Sequence, residues 1–175
     1  ENCGYTVTYD KAPASAVTIG QAGTEMLYAL DLGDKVVGTS LWFNEVQPRF
    51  KTVNDKVARL ADNAPSFESI IGKRPNLVFS QVEWMGGKDG VVGQREQFHD
   101  LGIATYAMPS DCEGKDNLSG ADGTRTASYD VKALYKSIRQ LAEIFDAEAQ
   151  GEALVKDLTE RQASAIAKVK AAKQA

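Results

Sequence analysis

The sequence predicts an α/β lobe: three layers, with a mostly parallel sheet flanked by helices, followed by a long C-terminal helix. Three observations point there. Strand-like and helix-like segments alternate along most of the chain, the pattern of a parallel sheet with helices on both faces. The clearest strand candidate, Leu77, Val78 and Phe79, is a continuous apolar run, which suits a strand covered on both sides. From about residue 147 the pattern becomes one helical stretch rich in Ala, Lys, Glu and Gln.

The elements follow in order. CGYTVTY at the start is β-rich and alternating, and reads as an edge strand. AVTIG (16–20) is a short strand; GTEMLYALDLG (23–33) is a helix with Met26, Leu27 and Leu30 on one face, closed by Gly33. KVVGTS (35–40) is the next strand. VARLAD (57–62) leads into a short helix in which Phe67, Ile70 and Ile71 fall at the spacing of one buried face, and Pro75 stops it before a strand at 77–80. VGQREQFHDLG (92–102) is a helix closed by Gly102, and IATYAM (103–108) is a strand. Residues 109–128 are polar and glycine-rich, an irregular loop. Val131, Leu134, Ile138, Leu141 and Phe145 then recur at three and four, an amphipathic helix. In the last helix Leu154, Leu158, Ile166 and Val169 leave only a thin apolar stripe. From 151 to 175 it would run roughly 37 Å, longer than the sheet beneath needs. It reads as a connector, which divides the chain into a lobe over 1–145 and a connecting helix over 146–175.

Composition limits the function. The 175 residues are 43% hydrophobic and 25% charged, enough for one sizeable core, and the net charge of −4 argues against a nucleic-acid surface. No apolar run approaches the roughly 18 residues of a membrane span. The opening, ENCGYTVTYD, lacks a Met and looks like a mature or trimmed start. Cys3 and Cys112 are too far apart for a CxxC motif or a zinc knuckle. They are either a disulfide, which needs an oxidising compartment, or two unrelated free thiols.

Ligands of such folds sit where loops leave the C-terminal ends of the strands. Here those loops are GQAGTE, SLWFNE, ADNAPS, SQVEWMGG and PSDCEG. Catalysis is a poor fit. GQAG lacks both G-x-G-x-x-G and a Walker lysine, and the single histidine, His99, sits in a helix expected to cover the sheet. One imidazole is too little for direct zinc or manganese capture, and no cofactor or metal site is expected. A small-molecule-using α/β enzyme domain and a protein-interaction module are the alternatives to a binding protein.

The ordered set AVTIGQAGTEMLYALDLGDKVVGTS, PSFESIIGKRPNLVFSQ, LGIATYAMP and IRQLAEIFDAEAQGEALV resembles the N-terminal lobe of periplasmic binding proteins for iron–siderophores, haem and cobalamin, the substrate-binding subunits of ABC importers. The resemblance implies two α/β lobes joined by one long helix, with this chain as the first lobe plus most of that helix and a second lobe beyond Ala175. It implies a monomeric, non-enzymatic protein, free in the periplasm or lipid-anchored at the cell surface, whose partners are a ferric siderophore or related metal chelate and a membrane permease, not nucleic acid.

The resemblance also implies residue roles. Glu68, off the apolar face of its short helix, would dock against permease arginines, a charge-assisted pairing; helix-dipole stabilisation alone is the plainer role. Cys3 and Cys112 match a subset of the family with a disulfide at these places. Trp42, Phe43 and Trp84 could cover a flat ligand or be tucked into core. Gln21 and Thr24 begin a helix whose N–H groups could receive an anionic group, or only make a strand–helix turn. Glu25 supports the helix start. Asn63 and Glu83 could hydrogen-bond the ligand. Arg125 could supply positive charge, or be merely solvated; the few cations on these loops disfavour a highly anionic ligand.

Overall fold

The computed structural model describes residues 1–83, 90–117 and 123–172. Its main sheet has five parallel strands, β1 (Ala16–Ile19), β2 (Val36–Ser40), β3 (Arg59–Ala61), β4 (Leu77–Ser80) and β5 (Ala104–Ala107), in the order β3-β2-β1-β4-β5. The helices are α1 (Gln21–Ala29), α2 (Lys51–Asn54), α3 (Phe67–Ile71), α4 (Arg95–Asp100), α5 (Lys132–Ile144) and α6 (Glu148–Ala172). A two-stranded antiparallel hairpin, β6 (Lys115–Asp116) and β7 (Thr124–Arg125), lies between β5 and α5.

Two cores follow from the alternation of side chains along each strand. On one face Ala16, Phe79 and Tyr106 pack with Leu27 of α1, Ile138 and Leu141 of α5, and Val155 of α6. On the other, Val17, Ile19 and Val78 pack with Ile70 of α3 and Phe98 of α4. Leu27, Ile70 and Phe79 are wholly buried, each worth about 1.5–3 kcal/mol relative to exposure.

Helix ends depart from expectation where backbone geometry outranks the residue pattern. α1 ends at Ala29, four residues before Gly33. Asp31 takes the left-handed turn at φ 60°. Its N–H donates to the Tyr28 carbonyl at 3.1 Å and that of Leu32 to the Leu27 carbonyl at 2.9 Å, a Schellman closure. Aspartate tolerates that conformation better than most residues. Gly33 instead opens a 3₁₀ turn, Gly33–Lys35, under Val53. α4 begins at Arg95 rather than 92, because Gly93 stands at φ 126°. Gly102, at φ 71°, does close it, with the Ile103 N–H reaching the Phe98 carbonyl at 2.9 Å.

Two other segments differ. Within VARLAD, Arg59–Ala61 is itself a strand, β3, at the sheet edge beyond β2. Among the described residues CGYTVTY joins no sheet, and a single bridge between Asn2 and Tyr5 is its one ladder-like feature. Cys3 and Gly4 both have positive φ, and the segment is held by side chains rather than by strand pairing.

α6 divides along its length. Its first turns lie on α5, where Gly151 lets the helices approach so closely that a Cβ there would stand 2.5 Å from that of Ala142. Arg139 and Glu152 form an ion pair at 2.6 Å across the same junction. From Thr159 to Ala172 every residue is exposed, Ile166 and Val169 included.

Candidate functional site

The strand order turns back between β1 and β4, so the crevice of this sheet opens beyond their C-terminal ends. Gly20 and α1 follow β1 there, and Gln81 follows β4. Gly20 must be a glycine: its φ is 116°, and a Cβ would stand 2.3 Å from the Cβ of Gln81.

At the start of α1, where an anion-receiving role was expected, several N–H groups are engaged by protein oxygens. The Gln21 N–H donates to the Leu41 carbonyl at 3.0 Å, that of Ala22 to Gln81 Oε1 at 2.9 Å, and that of Thr24 to the Gly20 carbonyl at 3.0 Å. The Thr24 side chain is fully buried rather than facing ligand. Its Oγ1 donates to the Gly20 carbonyl at 2.9 Å and lies 2.8 Å from both Thr18 Oγ1 and Thr39 Oγ1. With its own proton committed, Thr24 must accept from both neighbours.

Trp42 belongs to the same network and is likewise not a free stacking face. Its Nε1–H donates to Thr39 Oγ1 at 2.9 Å, and the Arg59 guanidinium lies 4.4 Å from its ring centroid. It is 9% exposed, whereas the adjacent Phe43 is 70% exposed. Gln21 turns toward this loop. Its Oε1 accepts from the N–H groups of Phe43 at 3.4 Å and Asn44 at 3.1 Å, and its Nε2 donates to the Glu45 carbonyl at 3.2 Å. Glu25, expected to serve the helix start, accepts instead from the Gln47 backbone N–H at 3.0 Å and side-chain amide at 2.6 Å.

Asn63 is exposed, and its carbonyl accepts from the Leu41 N–H at 3.2 Å. Glu83 is a strut between two edge loops: its N–H donates to Asp111 Oδ2 at 2.7 Å, and its Oε2 accepts from Asn117 Nδ2 at 3.0 Å. Lys115 completes the junction with an ion pair to Asp111 at 2.6 Å, both side chains little exposed. Arg125 is exposed; it donates to the Ser110 carbonyl at 2.9 Å and stands over the Tyr129 ring at 5.3 Å. The two border a shallow groove of about 330 Å³ with Lys132 and Lys136. Trp84 lies outside the described residues.

Cys3 and Cys112 are bonded as a disulfide, with Cα atoms 5.7 Å apart. The bridge sets Asn2 against the outer edge of β5, where its side-chain amide both accepts from the Ala107 N–H at 2.7 Å and donates to the Ala107 carbonyl at 2.8 Å. Arg95, 3% exposed, donates to Asn2 and Thr105 and stacks on Tyr5. Asn2, Gln81 and Arg95 escaped the sequence reading. Only Arg95 carried a signal: three residues before Phe98, it is a cation on a buried helical face.

Glu68 is exposed in the first turn of α3, whose N-cap Ser66 accepts from the Ser69 N–H at 3.1 Å. Among the described residues nothing pairs with its carboxylate.

Residues 17–175 match the model of the periplasmic binding protein family. The chain is 30% identical over 152 residues to an uncharacterized ABC transporter substrate-binding lipoprotein, YvrC, of Bacillus subtilis (strain 168), a match covering 87% of this chain and 40% of that one. It superposes on an ABC-type Fe3+-hydroxamate transport system protein from Saccharomonospora viridis with TM-score 0.72 and 24% identity, over 93% of this chain and 53% of the other. It superposes on the molybdate-bound periplasmic protein MolA of Haemophilus influenzae with TM-score 0.63 and 20% identity, over 88% and 48%. These two likenesses show the fold. The class is thus a three-layer α/β binding lobe, and the chain belongs to the periplasmic binding protein family. That family is periplasmic or cell-surface, and the protein is placed there. No described helix is long and apolar enough to cross a membrane. The chain spans about half the length of these solved structures, and less of the curated relative.

Proposed function

We propose that the complete protein is the solute-binding component of an ABC importer, capturing a metal chelate and presenting it to a membrane permease. The observation that carries this is the sheet's C-terminal edge in a chain of this family: its loops are braced by protein contacts yet leave Phe43, Asn63 and Arg125 facing outward. Residues 1–145 would be one lobe and 146–175 the helix leading to a second, with the cargo between. The stretch of α6 beyond Leu158, exposed throughout and tied back to α5 through the Tyr135 hydroxyl, which donates to Gln162 Oε1 at 3.1 Å, fits that connection. Phe43, Asn63 and the Arg125–Tyr129 pair are the side chains offered to ligand; Gln21, Thr24, Trp42 and Glu83 hold the loops that carry them. The cargo is a ferric siderophore, haem or cobalamin. The protein works as a monomer, and Glu68 meets the permease.

The test is tryptophan fluorescence of the complete encoded protein titrated with ferrioxamine, ferric enterobactin, haem, cyanocobalamin and molybdate, beside residues 1–175 alone. Saturable quenching by one chelate in the complete protein, far weaker in the shorter chain, is the expected result. No saturable response to any of them would overturn the reading.

A further inference from the structure

We infer that the Cys3–Cys112 bridge is a thiol–disulfide exchange site, open to a small dithiol, that sets how firmly the binding edge of this lobe is held. The inference rests on the substrate-binding reading above and concerns the regulation of that same edge.

The bridge fastens two structures at once. On one side Cys3 follows Asn2, whose amide accepts from the Ala107 N–H and donates to the Ala107 carbonyl, as a neighbouring strand would. On the other, Cys112 follows Asp111, which gathers the loops leaving β4 and β5. Asp111 Oδ2 accepts from the Glu83 N–H at 2.7 Å, its Oδ1 pairs with Lys115 at 2.6 Å, and its carbonyl accepts from Asn117 Nδ2 at 2.6 Å. With the bridge open, Asn2 and Asp111 are held by reversible bonds alone. An edge held in place retains more of its binding energy than one that must be ordered by the ligand.

The sulfurs are within reach. Among the described residues, both cysteines are partly exposed and line one groove of about 660 Å³ with Gly4, Tyr5, Glu83 and Lys115. A Cβ at Gly4, beside Cys3, would meet no described atom within 4 Å. Access of this kind separates exchangeable disulfides from inert ones. One thiolate of the dithiol attacks a sulfur of the bridge, and the S–S bonding pair leaves on the other sulfur, which takes up a proton. The reagent's second thiolate then displaces the mixed disulfide. The bridge gains two electrons and two protons, and the dithiol becomes a disulfide. Exchange with a disulfide in an oxidising compartment runs the same steps backwards.

The experiment uses the complete protein. Dithiothreitol is added under native conditions, and freed thiols are followed by the mass shift on alkylation with iodoacetamide. Reduction should proceed at a rate that small additions of denaturant leave unchanged; a rate that rises with denaturant as global unfolding does would overturn the inference. Amide hydrogen exchange then compares the oxidised protein with reduced, alkylated protein. The Ala107 and Glu83 amides should exchange roughly tenfold faster or more once the bridge is open, again independently of denaturant, the sign of local release. Unchanged rates there, or acceleration with the denaturant dependence of β1, would mean a bridge that acts on the unfolded chain alone, and would also overturn it. The oxidised protein, the alkylated protein freed of dithiothreitol and a Cys3→Ser/Cys112→Ser variant are each titrated with ferrioxamine, ferric enterobactin, haem, cyanocobalamin and molybdate. Whichever probe the oxidised protein binds should bind the other two forms roughly tenfold more weakly. Equal affinity in all three forms would overturn the inference and leave the substrate-binding reading intact. Oxidised protein binding none of the five probes would overturn both.

Discussion

Thr24 and Ser40 are two buried hydroxyls of opposite consequence. Thr24 sits at the centre of a network joining β1, α1, β2 and Trp42. Thr24→Val keeps the shape but strips the acceptor from two buried hydroxyls, and should cost about 1–3 kcal/mol by denaturant unfolding. Ser40 is also wholly buried, but among the described residues its Oγ has no partner. Ser40→Ala removes an unpaid desolvation and should leave stability unchanged or raise it, measured the same way. His99 sets a pH dependence. Burial first, then the Arg95 charge, holds its imidazole below the ordinary histidine range, with Glu96 and Asp100 pulling the other way, the Tyr5 ring beside it, and its Nε2 2.8 Å from Thr105 Oγ1. The unfolded chain therefore takes up its proton first. Stability is full above the unfolded value of about 6.5 and falls as pH drops through it toward the lower folded value. His99→Gln should flatten that part of a stability–pH curve; an equally steep fall would assign it to other groups.

Among the elements, the N-terminal segment and α1 taught most. CGYTVTY has strand composition, yet β5's outer edge is capped by one asparagine side chain, with Arg95 and the disulfide holding it in place. The bridge spans 109 residues, and closing a loop of that order restrains the unfolded chain by up to about 4–5 kcal/mol. Cys3→Ser should lower unfolding stability by about 2–5 kcal/mol, and reductant should bring wild type close to the variant. α1 illustrates what sequence conceals. Met26, Leu27 and Leu30 were legible as its buried face because periodicity is local, and all three are buried. Its end was not, because an aspartate in the left-handed turn leaves no glycine to mark it.

At the scale of the molecule, α6 is the informative piece. Residues 159–172 are all exposed, with Gln162 accepting one hydrogen bond from Tyr135 of α5. A chain ending at Leu158 should unfold within about 0.5 kcal/mol of the 175-residue chain; a larger loss would mean that the outer turns stabilise the lobe. Glu68 belongs to this scale too, since its proposed partner is another protein. Glu68→Lys in the complete protein should leave chelate affinity unchanged and lower uptake in cells, and normal uptake would remove the docking role.

The sequence by itself determined the alternation of strands and helices, the two-faced burial of the central strands, the amphipathic face of α5 and the reach of the last helix. Those are properties of neighbouring residues, set by side-chain periodicity and by which runs are apolar throughout. Only the tertiary structure decided which polar residues face outward. Trp42 and Phe43 are adjacent aromatics, and one is anchored in core while the other stands in solvent. Gln21 and Thr24 share a turn, and one braces a loop some twenty residues away while the other is buried between two strands. Each outcome depends on partners brought together by strand order. Hydrogen bonds made across such distances leave no spacing in the sequence to read.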